Sequence, residues 1–93
     1  MEKDLDVWRE KIDALNEQIL ALLNERAQCA LAVGKIKREA GLPLYAPDRE
    51  TIILNRIAEL NGGPLGNEAA QRIFQQIIDE SLRLEEDHAE EGE

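Results

Sequence analysis

Ninety-three residues make one small domain, and a chain this short buries only a modest share of its surface unaided, so help from a partner chain is expected. The formal net charge of −9, with no basic cluster beyond Lys35, Lys37 and Arg38, argues against a nucleic-acid-binding face. Cys29 has no second cysteine to pair with. The opening Met-Glu-Lys-Asp lacks an apolar signal region, and no apolar run approaches the ~18 residues of a membrane helix, which makes the cytoplasm the expected location.

Aromatic residues are only 3 %, and an apolar set of mostly Leu, Ile and Ala favours helix over sheet. In the first segment Leu5, Trp8, Ile12, Leu15, Ile19, Leu22, Arg26, Cys29, Val33 and Ile36 follow one another in steps of three and four. This heptad-like seam predicts a helix over about 5–39, with Gly41 as its stop and Pro43 beyond. Lys35, Lys37 and Arg38 suit the negative end of its dipole. A second helix is expected from Pro47, with Asp48 and Glu50 in its first turn and Ile53, Ile57 and Leu60 inward, Ile52 alongside. Asn-Gly-Gly-Pro at 61–64 ends it. Asn67 is a candidate N-cap for a third helix burying Ala70, Phe74, Ile77 and Ile78 and fading near 85–88. Residues 1–86 thus form the domain, and 87–93 read as an acidic, disordered tail.

The predicted fold is all-α, three helices per chain, one long and two short. A 35-residue helix is about 52 Å long, whereas a compact chain of this length is only about 32 Å across. The first helix therefore cannot bury its whole seam against its own chain. A second copy lying antiparallel along it is the simplest remedy, giving an intertwined homodimer.

Several polar residues stand where the pattern asks for apolar ones. Arg26 occupies the seam, and a buried arginine needs a counter-charge. An internal pair with Glu50 or Glu85 and a ligand carboxylate both satisfy that need. Lys37 lies eleven residues on, about 20° round and about 16 Å along the helix, so it points to nearly the same side. It either complements the dipole in solvent or leans with Arg26 toward one anion. On the third helix Ser81 and Glu85 fall within about 20° of Phe74, at the centre of the buried arc. Ser81 could instead bond back to the backbone, and Glu85 could belong to a fraying end. Arg49 against the positive end of a helix dipole implies negative charge nearby. Cys29 reads as a core residue and His88 as an inert tail residue. No metal cluster, Ser/His/Asp set or glycine-rich phosphate loop occurs in the sequence. The constellation suits a small anionic ligand.

These residues, in this order, resemble the all-helical chorismate mutases, the AroQ class. The resemblance runs from about Asp6 to Glu86. It is carried by Arg-Glu-Lys-Ile-Asp at 9–13 with Leu15, Leu-Leu-Asn-Glu-Arg at 22–26 and Val-Gly-Lys-Ile-Lys at 33–37. Pro-Asp-Arg-Glu at 47–50 and Phe-Gln-Gln-Ile-Ile-Asp-Glu-Ser at 74–81 complete it. The resemblance implies a homodimer with two active sites shared between chains. It also implies the pericyclic rearrangement of chorismate to prephenate in phenylalanine and tyrosine biosynthesis, without cofactor or metal. By matching position, Arg26 would clamp one substrate carboxylate and Arg9 of the other chain the second. Lys37 would reach the ether oxygen, Arg49 would orient the anionic end, Glu50 would accept from the ring hydroxyl and Ser81 would assist at a carboxylate. Glu85 stands where many members carry Gln as second donor to the ether oxygen, and Ala46 where some carry an acid.

Two rival readings remain from sequence. One keeps the pocket and changes the chemistry, as in relatives that eliminate pyruvate from isochorismate. The other is a non-catalytic helical dimerisation or regulatory module of a larger aromatic-pathway enzyme. Arg26 and Lys37, both present, argue against the second.

Overall fold

The computed structural model describes residues 2–91 and consists of three helices, α1 (Glu2–Glu39), α2 (Pro47–Leu60) and α3 (Asn67–Glu90). No strand occurs among the described residues. The 38 residues of α1 set the long dimension of the molecule, 58 Å, close to the ~57 Å that a straight helix of this length spans.

The stop of α1 is the expected one. Gly41 takes φ 72°, the Leu42 N–H donates to the Lys37 carbonyl at 2.8 Å and the Gly41 N–H to that of Arg38 at 3.2 Å. This is a Schellman closure, and glycine adopts its left-handed residue without a Cβ penalty. Pro47 opens α2 as expected, where its missing N–H is no loss. Asn67, however, is the first helical residue of α3, and Gly66 is the cap. The Asn67 side chain instead accepts from Asn61 Nδ2 at 2.7 Å, and the same nitrogen donates to the Leu65 carbonyl at 2.8 Å. Asn61 thereby closes the α2–α3 turn, leaving Asn67 no role at its own helix end.

Helix α3 packs on both α1 and α2, which do not pack on each other. It buries Ala70 and Ile78, with Phe74 and Ile77 half-buried beside them, matching the expected inner face. On α2 the inward stripe is Ile53, Leu54, Ile57 and Ala58, while Ile52 and Leu60 are exposed. The stripe is thus rotated by about one residue from the sequence expectation. The acidic stretch after Glu86 remains helical to Glu90, with His88 and Ala89 half-buried. Gly92 and Glu93, the end of the expected tail, lie outside the described residues.

The largest departure lies in α1. Residues 2–25 are all exposed, and the seam stands open, with Trp8 61 % and Ile12 55 % accessible. Only the C-terminal half meets α3, and through a neighbouring stripe: Ala27, Ala30 and Leu31 are half-buried and Gly34 is buried. Cys29, expected in the core, is exposed with Val33 and Ile36. Small side chains let two helix backbones approach closely, so the Ala/Gly stripe takes the intrachain contact and the bulky seam is left over.

Candidate active site

All three helices contribute to one cleft of about 290 Å³. From α1 it receives Arg26, Cys29, Ala30, Val33 and Lys37, and from the following loop Leu44 and Ala46. Arg49, Glu50 and Ile53 come from the start of α2, and Ile78, Ser81, Leu82 and Glu85 from one face of α3. Six of the seven residues singled out from sequence therefore meet in one place. Arg9 does not, because it lies in the exposed half of α1, 17 positions before Arg26 and so about 25 Å away along the axis.

Two of the three cations of the cleft are held by neutral groups. Arg26 donates to the Ser81 hydroxyl at 2.7 Å, and that hydroxyl donates to the Ile77 carbonyl at 2.8 Å. Lys37 Nζ donates to the Leu44 carbonyl at 2.9 Å, tying the α1–α2 loop to the rim. Arg49 is exposed at the mouth. The ion pairs among the described residues are Arg56–Glu59 and Arg83–Glu80, and His88 Nδ1 lies 4.0 Å from Glu91, all local and away from the cleft. The internal pair considered for Arg26, with Glu50 or Glu85, is not made. Glu50 instead accepts from Gln75 Nε2 at 3.2 Å, and the same nitrogen donates to Asp79 at 2.9 Å. The guanidinium has five donors and the ammonium three, so Arg26 and Lys37 keep hydrogen-bonding capacity for a ligand.

Glu85 is the exception to solvent access. Its residue is 7 % exposed, and its Oε1 is buried without a hydrogen-bond partner. Burial pushes its pKa above the ordinary carboxylate range, with Lys37, Arg38 and Arg26 pulling the other way and Glu86 adding to the rise. A protonated Glu85 is a hydrogen-bond donor, and an ionised one is an acceptor only. Arg38 and Gln75 were not singled out from sequence. Arg38 reads from sequence as complementing the helix dipole with Lys35 and Lys37, and the Gln75–Glu50 contact joins positions 25 apart with no local signal.

The sequence profile of the family described as chorismate mutase type II matches residues 8–86. The chain belongs to that family. A bifunctional chorismate mutase/prephenate dehydratase of Neisseria gonorrhoeae is 44 % identical over 77 residues, which are 83 % of this chain and 21 % of that protein. The chain thus spans about a fifth of the length of that relative. A chorismate mutase of Methanocaldococcus jannaschii is 34 % identical over 84 residues, 89 % of this chain and 85 % of that protein. Among solved structures, the chorismate mutase of Helicobacter pylori in complex with prephenate superposes with a TM-score of 0.86 at 31 % identity, covering 94 % of each chain. The all-α family fold is therefore the fold of this chain. No helix among the described residues is long and apolar enough to cross a membrane.

The raised pKa of Glu85 has a thermodynamic consequence. A carboxyl whose folded pKa exceeds its unfolded one binds its proton more tightly in the folded state, so its contribution is full below the unfolded pKa. That contribution is lost as pH rises through the folded pKa. Glu85→Gln removes this loss. The variant is expected to melt higher than wild type at pH 8 and to show no such advantage at pH 4, as followed by circular dichroism at 222 nm.

Proposed function

We propose that this chain rearranges chorismate to prephenate, as a homodimer with two active sites, each built from both chains. The observation that carries the reading is the cleft in which Arg26, Lys37 and Arg49 converge without an ion-pairing carboxylate among the described residues, facing the buried Glu85. Residues up to Glu86 form the catalytic unit, since every residue lining the cleft precedes that position.

Chorismate is a dianion, and its rearrangement breaks a C–O ether bond while a C–C bond forms across the ring. The step is intramolecular and needs no nucleophile. It needs the enolpyruvyl arm folded over the ring, and stabilisation of the negative charge that grows on the ether oxygen. Arg26, fixed by Ser81, offers a preorganised clamp for one carboxylate, which removes orientational freedom the free substrate must otherwise lose. Lys37 retains donors after bonding Leu44 and reaches the ether oxygen, where its charge counts more in the transition state than in the ground state. Glu85 as a neutral acid supplies the second donor to the same oxygen. Glu50, steadied by Gln75, accepts from the ring hydroxyl, and Arg49 closes the anionic end.

The second carboxylate falls to Arg9 of the other chain. The seam from Leu5 to Leu22 leaves large apolar side chains open to water, which a second α1 would cover. With the two helices antiparallel and the dyad near Ile19 and Leu20, Arg9 of one chain arrives between Arg26 and Lys37 of the other.

The direct test is loss of chorismate absorbance on adding purified protein, with prephenate identified by ¹H NMR. Lys37→Ala is expected to lower kcat by about 10²–10³-fold with a much smaller change in KM. An unchanged kcat would assign the ether oxygen to another group.

Mixing Arg9→Ala with Arg26→Ala subunits tests the shared site. Random exchange makes about half of the dimers mixed, each with one intact site, so about a quarter of wild-type activity should return from two inactive parents. No recovery, with exchange verified by native mass spectrometry, would rule the sharing out.

The pH dependence follows from Glu85. It helps only when protonated, so kcat should fall as pH rises through its titration in the occupied site. Glu85→Gln keeps a donor at all pH values and should flatten that limb. Superimposable pH–rate profiles for the two proteins would remove Glu85 from the chemistry.

A further inference from the structure

One residue beside the cleft has no part in the mechanism above and is nevertheless placed against its most buried carboxyl. Gly34 lies inside α1, five residues before the helix ends, where glycine is the least favourable choice other than proline. It is the one buried residue of α1. A Cβ built at this position would lie 3.0 Å from Glu85 Cγ, 3.3 Å from Glu85 Cβ and 3.3 Å from Glu85 Oε1. Its three nearest neighbours all belong to that one side chain.

We propose that Gly34 is a positioning residue for Glu85: the missing side chain on α1 leaves the space in which the carboxyl group lies buried at the cleft. The proposal rests on the reading of this cleft as a chorismate-rearranging site. Its physical content is steric. The close atoms include Cβ and Cγ, at the root of the glutamate and not at its flexible end. A methyl group at position 34 cannot be evaded by turning the carboxylate alone. Rotation about χ1 moves Cγ but not Cβ, so Glu85 Cγ and the α3 backbone that carries its Cβ must both give by a few tenths of an ångström. That movement shifts the carboxyl relative to Arg26, Lys37 and Arg38, which face it from α1, and to Glu86 beside it on α3. Arg49 and Glu50 reach the same cleft from α2. Displacement toward water relieves the burial that raises its proton affinity.

A glycine that only lets two helices approach would give the same loss of stability, so the test separates the two roles through a double-mutant cycle in the full chain. Gly34→Ala is made in the wild type and in Glu85→Ala, and melting temperature, kcat, KM and the pH–rate profile are measured for all four proteins. In the wild-type background Gly34→Ala should lower the melting temperature and reduce kcat by about 10–100-fold with little change in KM. It should also move the alkaline limb to lower pH. In the Glu85→Ala background the sign of the stability effect reverses. The new methyl fills space left by the glutamate and replaces a poor helix former, so the melting temperature rises, and kcat falls no further.

If Gly34→Ala does not fold alone, restoration of folding by the added Glu85→Ala supports the proposal, and failure to restore it overturns it. Equal losses of stability and kcat in both backgrounds, or a Gly34→Ala enzyme with wild-type kcat and an unmoved alkaline limb, would also overturn it. Failure of the functional reading shows separately, as absence of chorismate turnover by the wild type. The melting cycle still reports on the contact between Gly34 and Glu85 in that case.

Discussion

The close approach of α3 to the C-terminal half of α1 is the constraint on which the cleft depends. Only α3 packs on both other helices, so any change in its distance from α1 moves Ser81 and Glu85 relative to Arg26 and Lys37. Ala27, Ala30 and Gly34 set that distance by offering little side chain. A leucine in such a stripe would hold the helices further apart, since interaxial distance follows the side chains at the contact. The Arg26–Ser81 bond joins residues 55 positions apart and exists only while that spacing holds.

The same packing leaves α1 with two distinct apolar stripes and a division of labour between them. The small stripe meets α3 within the chain. The large one, from Leu5 through Trp8 and Ile12 to Leu22, is unused by the chain that carries it. A single domain with Ala70 and Ile78 as its buried apolar residues has little core of its own. In the proposed dimer the surface missing from the core and the arginine missing from the cleft are supplied by the same N-terminal half of the partner's α1. Assembly and completion of the site are then one event.

Much of this was legible in the sequence, because its signals are local. Gly41 stops α1 and Pro47 starts α2 for reasons of backbone geometry that need no tertiary context. The meeting of Arg26, Lys37, Ser81 and Glu85 was legible because polar residues on the inner arc of a helix must find one another or a ligand. What periodicity does not decide is which of two adjacent stripes takes which neighbour. The heptad reading assigned Cys29, Val33 and Ile36 inward by size and hydrophobicity, whereas the intrachain contact selects for smallness. Asn67 was similarly misassigned, since its capping chemistry is real but Asn61, six residues earlier, engages its side chain. Gly34 carried a readable signal: a glycine within a long helix costs about 1 kcal/mol relative to alanine and calls for a packing reason. Its partner, 51 positions later, was not readable.

The partners chosen for the cations bear on what the cleft can bind. Had Arg26 been paired with Glu50 or Glu85, a ligand carboxylate would have to displace an internal one, exchanging one ion pair for another at little net gain. Pairing with a hydroxyl and a carbonyl orients Arg26 and Lys37 without neutralising them. The charges face the cleft in full, and three cations held near one another form a site that a dianion relieves. The two carboxylates are kept from cancelling this by different means. Glu50 accepts from Gln75, which turns one of its oxygens toward α3. Glu85 is denied water, and the burial that makes its charge unfavourable favours its neutral, hydrogen-bond-donating form. In the proposed reaction the second donor to the developing oxyanion does not have to be an amide; an acid serves if its surroundings keep the proton on it, and in the role proposed for Gly34 those surroundings begin with the absence of a side chain there.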